Sequence, residues 1–495
     1  MYPGQAGSWG FGSSWTARLL AAVPTLLIAW PWVEPWSPAP LANAVPLMVS
    51  WACLCALWLW PGSWRTLDIA RGWALAALLS AVLGLLQYFG LAELLSPWLH
   101  VPSQLGEAMA NLRQRNQLAS LLSIGMLALL WWRTQGTSRP WTLLGLALLA
   151  VGLAATTSRT GLLEMLLVLA LSVLWHRTGA LPGAWRAALW ALAVYVLASV
   201  SLPVLLSIST GEQIMAVLQR MGHDEGCGGR RVLWGNVLTL IGHKPWLGWG
   251  WDELRYAHYI TAYPGERFCD ILGNAHNLPL HLAVTLGVPL ALLFTVGVIA
   301  GLWHARAWRA SEGHQALAWS VLAVIGLHSL LEYPLWYGPF QVAVLLSVAL
   351  LWPASQKGTM ARLAGLWRQV RPWVAAGGWV LIGLAAWDYA RMRQIYLPAE
   401  QRLSLWADQP WAHARQTWWF GPTVQFAELT VAPVTPDNAH WVLRQSLQAL
   451  HYSPEPRVIH RLIDSAELLG EHELAQLHRA RLAAAFPAER ARASR

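Results

Sequence analysis

Long apolar runs recur along this chain and leave it few ways to fold. A helix crossing about 30 Å of hydrocarbon needs about 17–25 apolar residues. About eleven segments approach that length: 15–33, 41–60, 71–90, 117–132, 141–157, 160–175, 187–207, 277–302, 316–332, 338–353 and 372–389. Several lie near the short limit, so neighbouring helices must help bury them. The implied fold class is all-α, a polytopic membrane protein.

Composition agrees. Only 12% of the 495 residues are charged and 56% are apolar, against about 25% charged in a soluble domain. Many of the 35 tryptophans stand at run ends, among them Trp15, Trp30, Trp32, Trp36, Trp58, Trp60, Trp131, Trp132 and Trp352. An amphipathic ring prefers that headgroup level. The net charge of +9 is spread singly through loops rather than gathered into a patch, which argues against a nucleic-acid partner. Arg18 precedes the apolar stretch of the first run, but Pro31, Trp32 and Glu34 follow that stretch instead of a small-residue cleavage site, so the run reads as a retained span.

The loops between runs give the orientation. Every second one is short and basic: Arg65 and Arg71; Arg133 and Arg139; Arg177 and Arg186; Arg306 and Arg309; then Lys357, Arg362, Arg368 and Arg371. The short loops 34–40 and 333–337 contain no Lys or Arg. Cytoplasmic loops carry the excess of basic residues. The expected topology is therefore multi-pass in a bacterial inner membrane, with the N-terminus cytoplasmic and the C-terminus periplasmic. A loop at 208–276 and a tail at 390–495 then face the periplasm. We expect a membrane domain over 1–389, including that loop, and a periplasmic helical-hairpin tail over 390–495. In the tail, Pro436-Asp437 opens one helix, Ser453-Pro454 opens a second that Gly470 ends, and a third runs from about 471 to Phe486 before Pro487. Cys53 and Cys55 lie inside a run, whereas Cys227 and Cys269 share the periplasmic loop and are disulfide candidates in an oxidising compartment.

Arginines on the outward side are what topology does not require. Arg113 and Arg115 flank Gln114 near one span, Arg159 opens another, and Arg230 and Arg231 lie in the long loop. A guanidinium fork suits phosphate oxygens, so the set suits a diphosphate head group. The plain alternative is snorkelling, or pairing with Glu93, Glu107 or Asp224. A second constellation is Asn274-Ala275-His276-Asn277, where the loop re-enters the membrane; His281 lies five residues on. A neutral imidazole there suits proton abstraction from a hydroxyl; the plain reading is a helix cap. A third is His328 and Glu332, four apart and expected on one helix face as a substrate-orienting pair. No third ligand at suitable spacing makes them a metal site.

At these residues the sequence resembles the O-antigen ligase and polymerase superfamily, and within it the bacterial protein O-oligosaccharyltransferases that glycosylate pilins. A ligase-type pattern is met by His276, Asn277 and Gly287, with Leu290 departing at its last position. The pilin-glycosylating branch is suggested by Gln114-Arg115-Asn116-Gln117-Leu118-Ala119 and by Glu332-Tyr333-Pro334-Leu335-Trp336-Tyr337. Ser158-Arg159 with Gly161, and Arg231 with Trp234 ahead of Pro245-Trp246-Leu247-Gly248-Trp249-Gly250, are also similar. The resemblance covers roughly residues 110–340 and implies a metal-independent transferase with no cofactor. Its donor would be an undecaprenyl-diphosphate-linked glycan, and its acceptor a pilin-like protein or lipopolysaccharide core. His276 would activate the acceptor hydroxyl. Arg231 and Arg159 would contact the diphosphate, with Arg230, Arg113, Arg115, Asn116, Asn277, His328 and Glu332 as further substrate-binding candidates. Gly226-Cys-Gly-Gly229 reads as a flexible turn.

Two other readings stand beside this one. An O-antigen ligase or polymerase shares the donor and differs in acceptor. A lipid-linked sugar transporter would show repeated halves and charge at mid-membrane, whereas here the polar residues gather at one face.

Overall fold

A computed structural model describes residues 12–61, 65–136, 139–211, 226–352 and 359–487. Lys357, Asp224 and part of the long loop fall outside them. Among the described residues every regular element is a helix. In chain order these are α1 (Gly12–Val33), α2 (Ala44–Leu59), α3 (Thr66–Tyr88), α4 (Arg115–Thr134), α5 (Arg139–Ala155), α6 (Arg159–Arg177) and α7 (Ala184–Thr210). They continue with α8 (Arg230–His243), α9 (Leu254–Ile260), α10 (Leu278–Leu286), α11 (Val288–His304), α12 (Gly313–Ser329), α13 (Gly338–Leu351) and α14 (Thr359–Arg393). The tail holds α15 (Pro410–Ala414), α16 (Gly421–Val431), α17 (Ala439–Tyr452), α18 (Pro456–Leu468) and α19 (His472–Ala485).

Each expected apolar run falls on a helix, except that 277–302 is broken at Gly287 into α10 and α11. Among the described residues, five helical stretches are long and apolar enough to cross a bilayer: Thr66–Tyr88, Arg159–Arg177, Ala184–Ile208, Val288–Arg309 and Gly365–Tyr396. Leu20–Val33, Ala44–Leu59, Pro140–Ala155 and Gly338–Leu351 are shorter apolar helices. The chain is thus a multi-pass membrane protein.

The chain divides into two compact units. The first comprises Met1–Met221, Trp308–His328 and Pro334–Ile382; the second comprises Gly222–Ala307, Ser329–Tyr333 and Gly383–Arg495. In the first, α4 is the central helix, buried on all sides from Asn116 to Trp131. That explains how it carries Gln117, Ser120 and Ser123 without exposing them to lipid. Its approach to α3 is set by small residues, since a Cβ on Gly125 would lie 2.2 Å from the Ala77 Cβ. One turn along α3, a Cβ on Gly152 of α5 would lie 2.9 Å from Ala81. Lipid gives helices no hydrophobic incentive to associate, so close packing through small residues is what holds such a bundle.

The second unit joins the long loop to the tail. Helix α9 contributes to two apolar clusters. Leu254 and Ala257 pack with Leu233, Val237, Leu240 and Leu272 of the loop. Tyr259 packs with Phe426, Leu450, Ile459 and Leu462 of the tail. The Tyr259 hydroxyl also meets Nδ1 of the buried His478 at 2.8 Å. The three tail helices expected from the sequence are α17, α18 and α19, with Gly470 at φ +76° in the turn between the last two. Helix α11 belongs to this unit, yet within it only Ala291 is buried. An apolar helix exposed all round has lipid as its solvent.

Candidate active site

Within the second unit, helix α8 is the element on which the approach to His276 is built. Cys227 and Cys269 are disulfide-bonded, with their Cα atoms 5.4 Å apart, and this ties the turn before α8 to the segment leading to His276. From α8, Asn236 donates to the Glu266 carbonyl at 2.9 Å and accepts from the Phe268 amide at 2.8 Å. Two residues earlier the Trp234 indole donates to the Ala275 carbonyl at 3.0 Å. The chain from 266 to 275 is thereby laid along one helix, and the next residue is His276.

His276 adopts φ +50°, a left-handed conformation that is uncommon for residues other than glycine. Its amide donates to Asn274 Oδ1 at 2.9 Å, and Asn277 then caps α10 by accepting from the Leu280 amide at 3.1 Å. The Asn277 amide nitrogen donates to the Leu330 carbonyl at 3.0 Å. Such strained residues cost about 1–3 kcal/mol and concentrate at functional sites. Here the turn carries the imidazole to Glu332: His276 Nδ1 lies 2.6 Å from Oε2, while Arg230 Nη2 donates to Oε1 at 3.0 Å. The Tyr333 ring packs edge-on against the imidazole, 5.1 Å between centroids. An ionised carboxylate only accepts hydrogen bonds, so Nδ1 carries the proton and Nε2 keeps the basic lone pair. A carboxylate that fixes the tautomer and stabilises the imidazolium is the arrangement a general base needs.

Helix α12 ends at Ser329, so Glu332 stands beyond it and does not share a helix face with His328 as the four-residue spacing suggested. Arg231 begins α8 beside Arg230 and is exposed. Gly229, at the cap of α8, makes no side-chain hydrogen bond to the first amides of that helix, whose N-terminal end carries the positive end of the helix dipole. The expected turn at 226–229 is a single short helical turn over Gly226–Gly228 that leads into α8.

In the first unit the Gln114–Asn116 and Ser158–Gly161 motifs meet. The Ser158 hydroxyl donates to Asn116 Oδ1 at 2.6 Å and accepts from the Gly161 amide at 2.9 Å, while Gln114 Oε1 caps α4 by accepting from Gln117 at 2.6 Å. Two capped helix starts are thus joined, one opening with Arg115 and the other with Arg159. Arg115 pairs with Glu107 at 2.9 Å. Arg113, at φ +58°, is committed to the 34–40 loop, donating to the Pro35 carbonyl at 2.7 Å and the Ser37 carbonyl at 3.1 Å. That makes it a structural clamp. Beside it, burial raises the Glu34 carboxyl to about 7, with the Trp36 amide and the Arg113 charge opposing.

His328 has a partner that the sequence did not announce. Its Nδ1 lies 2.7 Å from the Ser120 hydroxyl, which also bonds Glu164. Ser123 donates to the other Glu164 oxygen at 3.3 Å. Glu164 and His328 are fully buried. One hydroxyl between an acid and a base lets a carboxylic group sit inside a helical bundle without a bare charge. A glutamate in a membrane helix is itself a signal of function, and Glu164 was open to that reading.

Comparisons with known proteins fall on the same segments. A family model described as "Protein glycosylation ligase" matches residues 108–132, "O-Antigen ligase" matches 144–295, and "Virulence factor membrane-bound polymerase, C-terminal" matches 316–495. The chain is 25% identical over 284 residues to the "General O-oligosaccharyltransferase" of Acinetobacter baylyi (strain ATCC 33305 / BD413 / ADP1), covering 54% of this chain and 47% of that protein. It is 27% identical over 115 residues to the "ComP-specific O-oligosaccharyltransferase" of the same organism, covering 23% and 21%. The chain therefore spans about half the length of the first relative and about a fifth of the second.

Proposed function

Because its family matches and relatives fall in the O-antigen ligase superfamily, on the protein-glycosylating side, we propose that this chain is a protein O-oligosaccharyltransferase. Its donor is a glycan on undecaprenyl diphosphate, its acceptor a Ser or Thr hydroxyl of a pilin-like protein, and its site periplasmic. The proposal includes about eleven crossings of the inner membrane, an N-terminus in the cytoplasm, and a catalytic membrane portion over 1–389 with a tail over 390–495.

One observation carries the reading: His276 and Arg230 share Glu332, with Nδ1 on the carboxylate side. In the proposed step the acceptor hydroxyl attacks the anomeric carbon and its proton passes to Nε2 of His276. The bond from that carbon to the diphosphate oxygen breaks, and the electron pair leaves with the lipid diphosphate. Glu332 stabilises the imidazolium, while Arg231 at the open start of α8 offsets the charge developing on the leaving group. In the first unit, Arg159 and Asn116 are proposed anion contacts, because both stand at helix starts where negative charge is favoured.

His276→Ala and Arg231→Ala, assayed for glycan transfer at matched membrane abundance, test the assignment. A positioned base contributes about 10²–10⁴ in rate, so His276→Ala should fall by that order; unchanged turnover in both variants overturns it. The O-antigen ligase match over 144–295 favours a second reading, with lipopolysaccharide core as acceptor. Offering core and a pilin-like protein to the same enzyme separates the two, and labelling of core alone refutes the protein acceptor.

A further inference from the structure

The 245–251 turn exposes apolar surface that its own unit does not cover. Leu247 is 85% exposed, Trp246 75% and Trp251 58%. This is not a loose loop. Trp249 N donates to the Val284 carbonyl and Gly250 N to the Thr285 carbonyl, both at 2.9 Å, and Val288 N donates back to the Pro245 carbonyl at 2.8 Å. Glycine makes the fit possible at two points. Gly248 sits at φ +68°, where a Cβ would lie 2.4 Å from the Thr285 carbonyl carbon. Gly287 sits at φ +91°, where a Cβ would lie 2.1 Å from the Trp246 oxygen. Trp249, the remaining indole, is turned inward: it donates to the Leu240 carbonyl at 2.9 Å, and the Lys244 ammonium lies 4.2 Å from its ring centroid. The backbone therefore holds Trp246 and Leu247 outward while fixing them to the first residue of α11.

Helix α11 decides what covers them. Its surface is that of a lipid-facing span, with only Ala291 buried. Residues bonded to the first turn of such a span stand at the boundary between headgroups and hydrocarbon. Tryptophan with a neighbouring lysine is the chemistry that settles there. We propose that the 245–251 turn is an interfacial anchor whose Trp246 and Leu247 side chains insert into the lipid leaflet in which α11 begins. The turn is docked on the junction of α10 and α11, and His276 immediately precedes α10. The anchor thus sets the height of that imidazole above the membrane surface.

The test uses the full-length protein in lipid nanodiscs, with an environment-sensitive fluorophore on Leu247→Cys. Cys53 and Cys55 are buried and Cys227 and Cys269 are bonded to each other, so labelling goes to position 247. The expected result is blue-shifted emission, quenched several-fold more strongly by lipids with a nitroxide near the headgroup than a probe on Leu477→Cys. Leu477 is a 46% exposed apolar position on α19. Water-like emission without lipid quenching overturns the proposal, including the case in which the probe becomes protected only when acceptor protein is added. Should Leu247→Cys not accumulate as folded protein, Trp246→Cys, at a position 75% exposed, carries the same measurement with the same two outcomes.

Discussion

Glu332→Gln is the substitution that most directly probes the candidate base. The carboxylate accepts from Arg230 at 3.0 Å and meets His276 Nδ1 at 2.6 Å. Glutamine preserves the shape and removes the charge. Two unit charges about 4 Å apart attract by about 4 kcal/mol at an effective dielectric near 20. The His276 and Glu332 side chains are 30% and 13% exposed, so solvent leaves roughly half of that, about 2 kcal/mol, or ~30-fold in rate. A second effect adds to the first. With the glutamine oxygen kept by Arg230, its amide turns a donor toward Nδ1, which favours the tautomer protonated on Nε2 and removes the lone pair meant for the acceptor hydroxyl. Together these predict a fall in kcat of about 10²–10³ with little change in KM. The assay is transfer from purified lipid-linked glycan to acceptor protein, with kcat and KM separated. If Glu332→Gln stays within about threefold of the parent kcat, a difference below ~0.7 kcal/mol, the carboxylate does not serve the base and the reasoning fails.

Three further outcomes follow from other contacts. Ser120→Ala leaves a buried histidine nitrogen and a buried carboxylate oxygen each short of a partner, at about 1–3 kcal/mol for each group, and should lower the thermal midpoint in detergent; an unchanged midpoint denies the network a structural role. Replacing Cys227 and Cys269 by serine opens a closure of 42 residues and should cost about 2–4 kcal/mol, read as faster proteolysis near the start of α8 under non-reducing conditions; equal cleavage rates count against it. His478 and His258 are held down by burial, to about 4 and about 3, below the ordinary value near 6.5. The unfolded chain therefore takes up protons first, and stability falls as pH drops from about 6.5 toward 4; a thermal midpoint equal or higher at pH 5 than at pH 7.5 contradicts this.

Much of the fold was legible because the bilayer imposes a simple rule. Spans must be long and apolar, and their ends are marked by tryptophan and arginine. The tail helices were equally plain at Pro436-Asp437, Ser453-Pro454 and Gly470, which are local stop and start signals. The break at Gly287 was not read as a break, because the run 277–302 contains no Asp, Glu, Lys or Arg and Pro289 is compatible with a helix start or a kink. What settles it is the docking of the 245–250 backbone on Gly287, a contact between segments about forty residues apart. Glu164 escaped notice for a related reason. The single acid in the apolar run 160–175 was a signal by itself, but its partners were not legible, because Ser120 and His328 come to it from two other helices.

The site itself shows where spacing helps and where it misleads. His276 was singled out from the Asn-Ala-His-Asn turn, and its conformation is that of a constrained residue: a positive φ held by Asn274 on one side and the Asn277 cap on the other. Glu332 was noticed but assigned to His328, because four residues apart on a helix means one face. That inference depends on the helix continuing, and α12 stops at Ser329, after which Leu330 offers its carbonyl to Asn277 instead of to the next turn. The same event that ends the helix therefore delivers the carboxylate to the imidazole 56 residues earlier in the chain. A local spacing rule could not see this, since the signal lies in where the helix ends. In this chain Glu-Tyr-Pro, with a proline two residues after the glutamate, is the sequence sign that the helix has ended before the carboxylate is used.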